Sequence, residues 1–224
     1  MKKLQISADQ KKSAALKNVQ QQASQAKNSC GRAMDIKTFK QPADKSLPAF
    51  WTPLSENDVI LLRKRNRRRR FDLSLVYAVG ARCSFGFPQV LVCRPERKGG
   101  SPFPTLFWLT CPYLDRKCGE LESLHKIREL EELFSEKATE VARWHEKYAL
   151  LRKSISEIGI DIPTGVGGID NDGAPHAVKC LHLQAATWIG WRYHPAADWL
   201  QKELETTECT CGLCGNNEEN SHYS

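Results

Sequence analysis

The stretch Thr105-Leu106-Phe107-Trp108-Leu109-Thr110 decides the fold class, because its four consecutive large apolar side chains predict a strand buried on both faces. Two further strands are predicted upstream of it. Apolar residues alternate with smaller ones from Leu73 to Val79, and residues 90–93 (Val-Leu-Val-Cys) form a second short apolar run. Three strands joined by short connections predict a small antiparallel sheet.

The sequence around this sheet predicts helices. From Leu121 to Ile158 apolar residues recur at spacings of three and four, which predicts either one long helix or a helical hairpin that breaks near Ser135. Residues 177–191 are mostly apolar, typical of a buried helix. Before the sheet, Ser55 is a predicted N-cap. The predicted fold class is therefore α+β, a small antiparallel sheet packed with a long helical hairpin and a buried C-terminal helix.

Composition divides the 224 residues into a core and two tails. Residues 1–49, rich in Lys, Gln, Ala and Ser, predict a disordered or weakly helical basic tail. Residues 50–205 form the predicted single core domain, and residues 206–224 are a predicted flexible tail that contains cysteines. No run approaches the ~18 apolar residues of a membrane span, and no apolar segment follows the first lysines. We therefore expect a cytoplasmic protein without a membrane partner.

Positive charge is concentrated in the first half of the chain, although the formal net charge of the whole is only +7. Guanidinium groups bind phosphates in a bidentate manner, so a basic run at 63–70 predicts a polyanion-binding face for nucleic acid or polyphosphate. The alternative is a solvated helix end, where arginine is favourable near the C-terminal dipole. The predicted polyanion-binding residues are Arg63, Lys64, Arg65, Arg67, Arg68, Arg69 and Arg70.

Nine cysteines without an export signal argue against a disulfide framework. Cys83 follows the first strand, Cys111 ends the third and Cys180 precedes the buried helix, so one sheet edge could gather all three. Three thiolates and one imidazole suit tetrahedral zinc, although an iron–sulfur centre uses the same soft ligands. Helix spacing favours His176 as the fourth ligand, because it is four residues from Cys180, and His182 is the alternative.

A second group of cysteines lies in the C-terminal tail, where Cys209, Cys211 and Cys214 are close in sequence. The pair Cys211-x-x-Cys214 resembles half of a zinc knuckle, but no second CxxC pair completes it. The tail therefore contains either a partial metal site or reactive thiols.

Three motifs are long enough to compare with known families: Arg82-Cys83-x-x-Gly86-x-Pro88-x-Val90, residues 102–112 (PFPTLFWLTCP), and Gly173-x-Pro175-x-x-Val178-Lys179-Cys180-Leu181-His182. Together they resemble the bacterial family called domain of unknown function 501, over about residues 55–204. The resemblance implies His182 rather than His176 as the fourth ligand, and it implies no activity. The implied metal ligands are Cys83, Cys111, Cys180 and His182.

These patterns favour a non-enzymatic cytoplasmic protein with a Cys/His metal-stabilised core and a basic polyanion-binding face. One alternative is an enzyme that acts on a phosphorylated or thiol-sensitive substrate at the Cys/His cluster, with Lys179 as an anion holder. Another is a helical interaction module that docks a partner protein. A closed four-ligand metal site would indicate a structural role, whereas an open coordination position would indicate catalysis.

Overall fold

A three-stranded antiparallel sheet is the centre of the computed structural model, which describes residues 48–65, 71–97, 99–157, 165–168, 174–212 and 214. The strands lie side by side in the order β1-β2-β3. Helices that precede and follow the strands along the chain complete the core. The strands are β1 (Val76–Arg82), β2 (Pro88–Cys93) and β3 (Phe107–Leu109). The α-helices within these ranges are α1 (Glu56–Arg65), α2 (Pro112–Ser123), α3 (Lys126–Glu136), α4 (Ala138–Ile155), α5 (Leu181–Trp191) and α6 (Ala197–Leu204). The predicted α+β class is confirmed.

The central strand, β2, is the one whose residues are all buried. It pairs with β3 in the register Val90 to Leu109 and Leu91 to Trp108. In β3, Trp108 is only partly buried, so complete burial on both faces was wrongly predicted for this strand. Phe107 and Leu109 face the main core, whereas Trp108 faces the smaller cluster, where Phe71 and Phe103 cover it only in part.

Helix α1 begins with a reciprocal cap at Ser55, as its sequence predicts. The Asp58 N–H donates to Ser55 Oγ at 3.2 Å, and the Ser55 N–H donates to Asp58 Oδ2 at 2.8 Å. Asp58 also binds the guanidinium of Arg82, with donor–acceptor distances of 2.8 and 2.7 Å. This pair of a buried carboxylate and a half-buried guanidinium fixes α1 against the end of β1, immediately before Cys83.

Helix α5 packs on all three strands, and Gly190 is the point of closest approach. A Cβ atom at Gly190 would lie 2.8 Å from the side chains of Val90 and Phe107. The indole Nε1–H of Trp51 donates to the Gly190 carbonyl oxygen at 2.7 Å. The predicted buried C-terminal helix is therefore present, although it begins at Leu181 rather than at residue 177.

The long helical region is divided into three helices rather than one or two. Lys137 separates α3 from α4, two residues beyond the predicted break at Ser135. A second break separates α2 from α3, where His125 adopts a left-handed backbone with φ of 59°. The apolar spacing continues through this second break and so conceals it.

The described part of the C-terminal segment, residues 206–212 and Cys214, packs on the β1–β2 connection. Gln89 Nε2 donates to the Thr207 carbonyl oxygen at 2.5 Å, and the Ser84 N–H donates to the Glu208 carboxylate. Cys214 packs beside Phe85 and Phe87. Contacts with the core therefore continue past the predicted boundary at 205. The apolar pattern of the sequence does not predict these contacts, because polar groups and one thiol make them.

The predicted N-terminal tail lies outside the described residues, apart from its last two positions. Among the helices of the described ranges, none combines the length and the apolar character that crossing a membrane requires.

Candidate metal centre

The first turn of α5 brings Cys180 and His182 against Glu122, near the end of α2. One ligand atom from each residue lies within 4.8 Å of the other two. On a regular helix, positions i and i+2 point about 200° apart, so these two residues could not share a ligand. Here Cys180 is the N-cap with an extended backbone (φ −168°, ψ 155°), and this change of direction brings its thiol to the imidazole.

The ring of His182 is held on both edges. Its Nδ1 lies 2.9 Å from Glu122 Oε1, and its Nε2 lies 3.1 Å from the Asp115 carbonyl oxygen. A hydrogen bond with the Cys180 side chain, together with Glu122 and Asp115, raises the pKa of His182 to about 9, although burial opposes the rise. At neutral pH the ring therefore carries a positive charge balanced by the Glu122 carboxylate.

Glutamates on two helices hold the segment that leads into α5. Glu122 Oε1 accepts the Leu181 N–H at 2.7 Å, and Glu131 Oε1 accepts the Val178 N–H at 3.0 Å. Sequence analysis missed Glu122, because it is one of several acidic residues along this helical region. Only the packing of α2 against α5 distinguishes it from the others.

The structure divides the four predicted metal ligands between two places. Cys180 and His182 lie in the Glu122 group, whereas Cys83 and Cys111 do not belong to it. The length of α2 explains the division. Cys111 precedes its first turn and Glu122 lies in its last, about 16 Å apart at 1.5 Å per residue.

The two other residues considered around Cys180 are both exposed. His176 is not part of the Glu122 group, so the histidine that accompanies Cys180 is His182. Lys179, which precedes Cys180 in sequence, is exposed, and its side chain passes beside Gly167.

The basic run is only partly described, since Arg67–Arg70 lie outside the described residues. Arg63 and Lys64 are exposed on the last turn of α1. Arg65 instead turns toward the sheet, where its Nη1 donates to the carbonyl oxygens of Pro88 at 3.0 Å and Thr110 at 2.9 Å. Arg65 is therefore set apart from the predicted polyanion-binding face, because its guanidinium is hydrogen-bonded to backbone carbonyl groups at the sheet edge.

The chain combines a small antiparallel sheet with a Cys/His/Glu group beside the packing of α2 on α5. It belongs to the family described as "Protein of unknown function (DUF501)", whose model matches residues 79–202, more than half of the chain. This confirms the resemblance seen in the motifs. Neither a curated protein nor a solved structure matches the chain. The matched region contains the whole Glu122 group but ends before Cys214.

Proposed function

We propose that this chain is a metal-binding protein in which Glu122, Cys180 and His182 hold a zinc ion. The observation that carries the proposal is the mutual approach of their ligand atoms within 4.8 Å. Thiolate, imidazole and carboxylate are the donors that zinc takes in proteins. An iron–sulfur centre is disfavoured at this group, because such clusters need several thiolates and Cys180 is its only cysteine.

The surroundings of His182 support this role. The Nε2–H donates to the Asp115 carbonyl oxygen, which fixes the ring and leaves Nδ1 on the side of Glu122. Histidine ligands commonly donate their second N–H to a carbonyl group in this way. A bound metal ion would compete with the proton that Nδ1 now shares with Glu122.

The number of ligands favours a reactive site over a closed one. Three protein ligands leave one position of a tetrahedral zinc for water or a substrate, as in catalytic zinc sites. The exposed Lys179 directly precedes Cys180 in sequence, and we propose it as the holder of an anionic group of the substrate. Cys83 and Cys111, which the sequence also suggested as ligands, are not part of the group found among the described residues, and this supports an open site.

Metal analysis of the purified chain and matched variants tests the proposal. We expect one zinc per chain, and a loss of zinc affinity of at least roughly tenfold in Cys180→Ser, His182→Gln and Glu122→Gln. His176→Gln and Cys83→Ser are matched controls that should keep the metal, since neither residue belongs to the group. Zinc that survives in Cys180→Ser, or that is lost in Cys83→Ser, would contradict the proposal.

A second candidate function uses the same residues as a nucleophilic enzyme. His182 is hydrogen-bonded both to the Cys180 thiol and to the Glu122 carboxylate, an order of groups that recurs in thiol enzymes. In that case the chain would contain no stoichiometric zinc, and iodoacetamide would alkylate Cys180 faster than the buried Cys93. His182→Gln would slow this alkylation, which a merely structural Cys180 would not show.

Localisation and charge complete the proposal. All cysteines in the described ranges are free, which is consistent with a cytoplasmic protein whose thiols stay reduced. The exposed Arg63 and Lys64 support polyanion binding at the end of α1, where the predicted face continues with Arg67–Arg70.

A further inference from the structure

A stacked pair of aromatic rings lies on the face of the sheet that the smaller apolar cluster covers. The rings of Phe71 and Trp108 have centroids 4.6 Å apart, and their planes are inclined by 29°. Trp108 belongs to β3 at one edge of the sheet, and Phe71 directly follows the basic run at 63–70. Both side chains are only partly buried where they pack against this cluster. The pair therefore leaves aromatic surface in contact with solvent.

The basic run contacts the sheet edge at both of its described ends. At one end, Arg65 Nη1 donates to the carbonyl oxygen of Thr110, just after β3, at 2.9 Å. At the other end, Phe71 stacks on Trp108, two residues earlier. Residues 63–72 contain seven basic residues and one acidic residue, Asp72, which gives this stretch a formal charge of +6. Positive charge and aromatic surface thus adjoin each other along the chain.

A cation from a different part of the chain also lies near this pair. Arg97 is exposed, and its guanidinium carbon lies 5.0 Å from the centroid of the Phe103 ring. The Phe103 ring is buried, and its centroid lies 6.2 Å from that of Trp108 and 6.5 Å from that of Phe71. Basic residues from two separate segments therefore flank the aromatic rings.

Aromatic surface beside positive charge fits single-stranded nucleic acid better than polyphosphate. Polyphosphate offers negative charge alone, so it would bind the cations and gain nothing from the rings. The bases of a single strand stack on aromatic side chains while its phosphates contact Lys and Arg. In a duplex the bases already stack on one another, and a surface pair of rings cannot reach their faces.

We propose that Phe71 and Trp108 form a stacking platform for the bases of a single-stranded nucleic acid, whose phosphates contact the exposed Arg63, Lys64 and Arg97. The platform adds base stacking to the polyanion-binding face proposed at the end of α1, and it therefore rests on that proposed function. Binding should tolerate different base sequences, because every base has a ring face on which to stack.

Binding of a short labelled oligo(dT) to the full-length chain, followed by fluorescence anisotropy, tests the platform. Inorganic polyphosphate with the same number of phosphates serves as the comparison ligand. We expect Phe71→Leu to weaken the binding of oligo(dT) by at least roughly fivefold, because a stacked base is lost. The affinity for polyphosphate and the salt dependence of oligo(dT) binding should stay unchanged, since the variant removes no charge.

Two further variants separate stacking from a general loss of structure. Phe71→Tyr keeps an aromatic ring and should bind oligo(dT) as the parent does. Phe50→Leu is the matched control, because Phe50 is also half-buried and lies 4.1 Å from the guanidinium of Arg192, but it packs on the main core. This variant should leave both affinities unchanged, and circular dichroism checks that each variant keeps the fold.

Ultraviolet cross-linking of oligo(dT) to the unsubstituted chain provides a test that does not depend on any variant folding. We expect mass spectrometry to find the cross-link in a peptide that contains Phe71 or Trp108. Cross-links confined to other peptides, or a Phe71→Leu variant that keeps its fold and its affinity for oligo(dT), would overturn the platform and leave polyanion binding intact. An equal loss of polyphosphate binding in Phe71→Leu would also overturn it, because Phe71 would then only position the basic residues. A chain that binds neither ligand would overturn the polyanion-binding face together with the platform.

Discussion

At the scale of single residues, His194 is a buried histidine that the fold keeps neutral. Its Nδ1 accepts the Ala196 N–H at 3.0 Å, so Nε2 carries the proton and donates to Gln184 Oε1 at 2.9 Å. Burial, together with the positive charges of His145 and Lys137, lowers the pKa of His194 to about 3. Burial also lowers the pKa of His145, which connects α4 to Val166 and Pro175.

The buried His194 predicts that the protein loses stability in mild acid. Between the usual pKa of 6.5 and the folded value of about 3, the unfolded chain takes up a proton that folded His194 does not. The stability present above pH 6.5 should therefore fall by about 1.4 kcal/mol per pH unit in this window. Urea unfolding at pH 7, 6 and 5 measures the slope.

The matched variants for this pH dependence are His194→Gln and His176→Gln. His194→Gln should unfold more easily at pH 7 but should show a flatter dependence on pH, because it lacks the titrating ring. His176→Gln should reproduce the parent slope, since His176 is exposed. Parallel slopes for the parent and His194→Gln would show that other groups cause the acid sensitivity.

Gly190 allows a second prediction at this scale. We expect Gly190→Ala to lower the free energy of unfolding by about 1–3 kcal/mol, because the added methyl would lie 2.8 Å from Val90 and Phe107. The matched control is Gly119→Ala in α2, where nothing lies within 4 Å of an added Cβ. That variant should gain stability from helix propensity. Chemical denaturation measures the free energy of unfolding of both variants. Equal changes in the two would contradict the close packing of α5 on the sheet.

At the scale of elements, we expect the arginines at and after the end of α1 to have two different roles, polyanion binding and structural support. Replacing Arg67, Arg68, Arg69 and Arg70 with Gln should leave the melting temperature nearly unchanged and weaken polyphosphate binding, with a shallower salt dependence. Arg65→Gln should instead lower stability by about 1–3 kcal/mol, because Nη1 bonds two carbonyl groups at the sheet edge. If the fourfold variant unfolds, its guanidiniums are structural and the polyanion-binding face is wrong.

At the scale of the whole molecule, local sequence patterns predicted the helices and strands better than the tertiary contacts between them. The apolar runs at β2, β3 and α5 identified the sheet and the buried helix, and in β2 the run is continuous because both faces of this strand are buried. The left-handed turn at His125 left no trace in the apolar spacing.

The candidate site shows the same limit. Cys180 and His182 could be selected from their motif, but Glu122 could not, because only the packing of α2 against α5 makes it their neighbour. The position of Cys214 could not be predicted for a similar reason, because it belongs to a polar segment without periodicity and only the fold places it beside Phe85 and Phe87.

The C-terminal segment contacts the core although its sequence has no apolar periodicity. A chain that ends at Glu205 tests what this segment contributes. We expect this chain to fold, because the segment adds polar contacts and one thiol to a core that is built elsewhere. Its Cys111 should react with iodoacetamide faster than in the full-length chain, because the gain in access to this buried thiol outweighs the loss of the Cys214 hydrogen bond that lowers its pKa. Cys93, fully buried behind the sheet pairing, is the internal control and should stay unreactive in both chains. Mass spectrometry of both cysteines measures the two rates together: faster alkylation of Cys93 as well would mean that truncation loosens the whole core, whereas an unchanged rate at Cys111 would mean that the segment does not protect it.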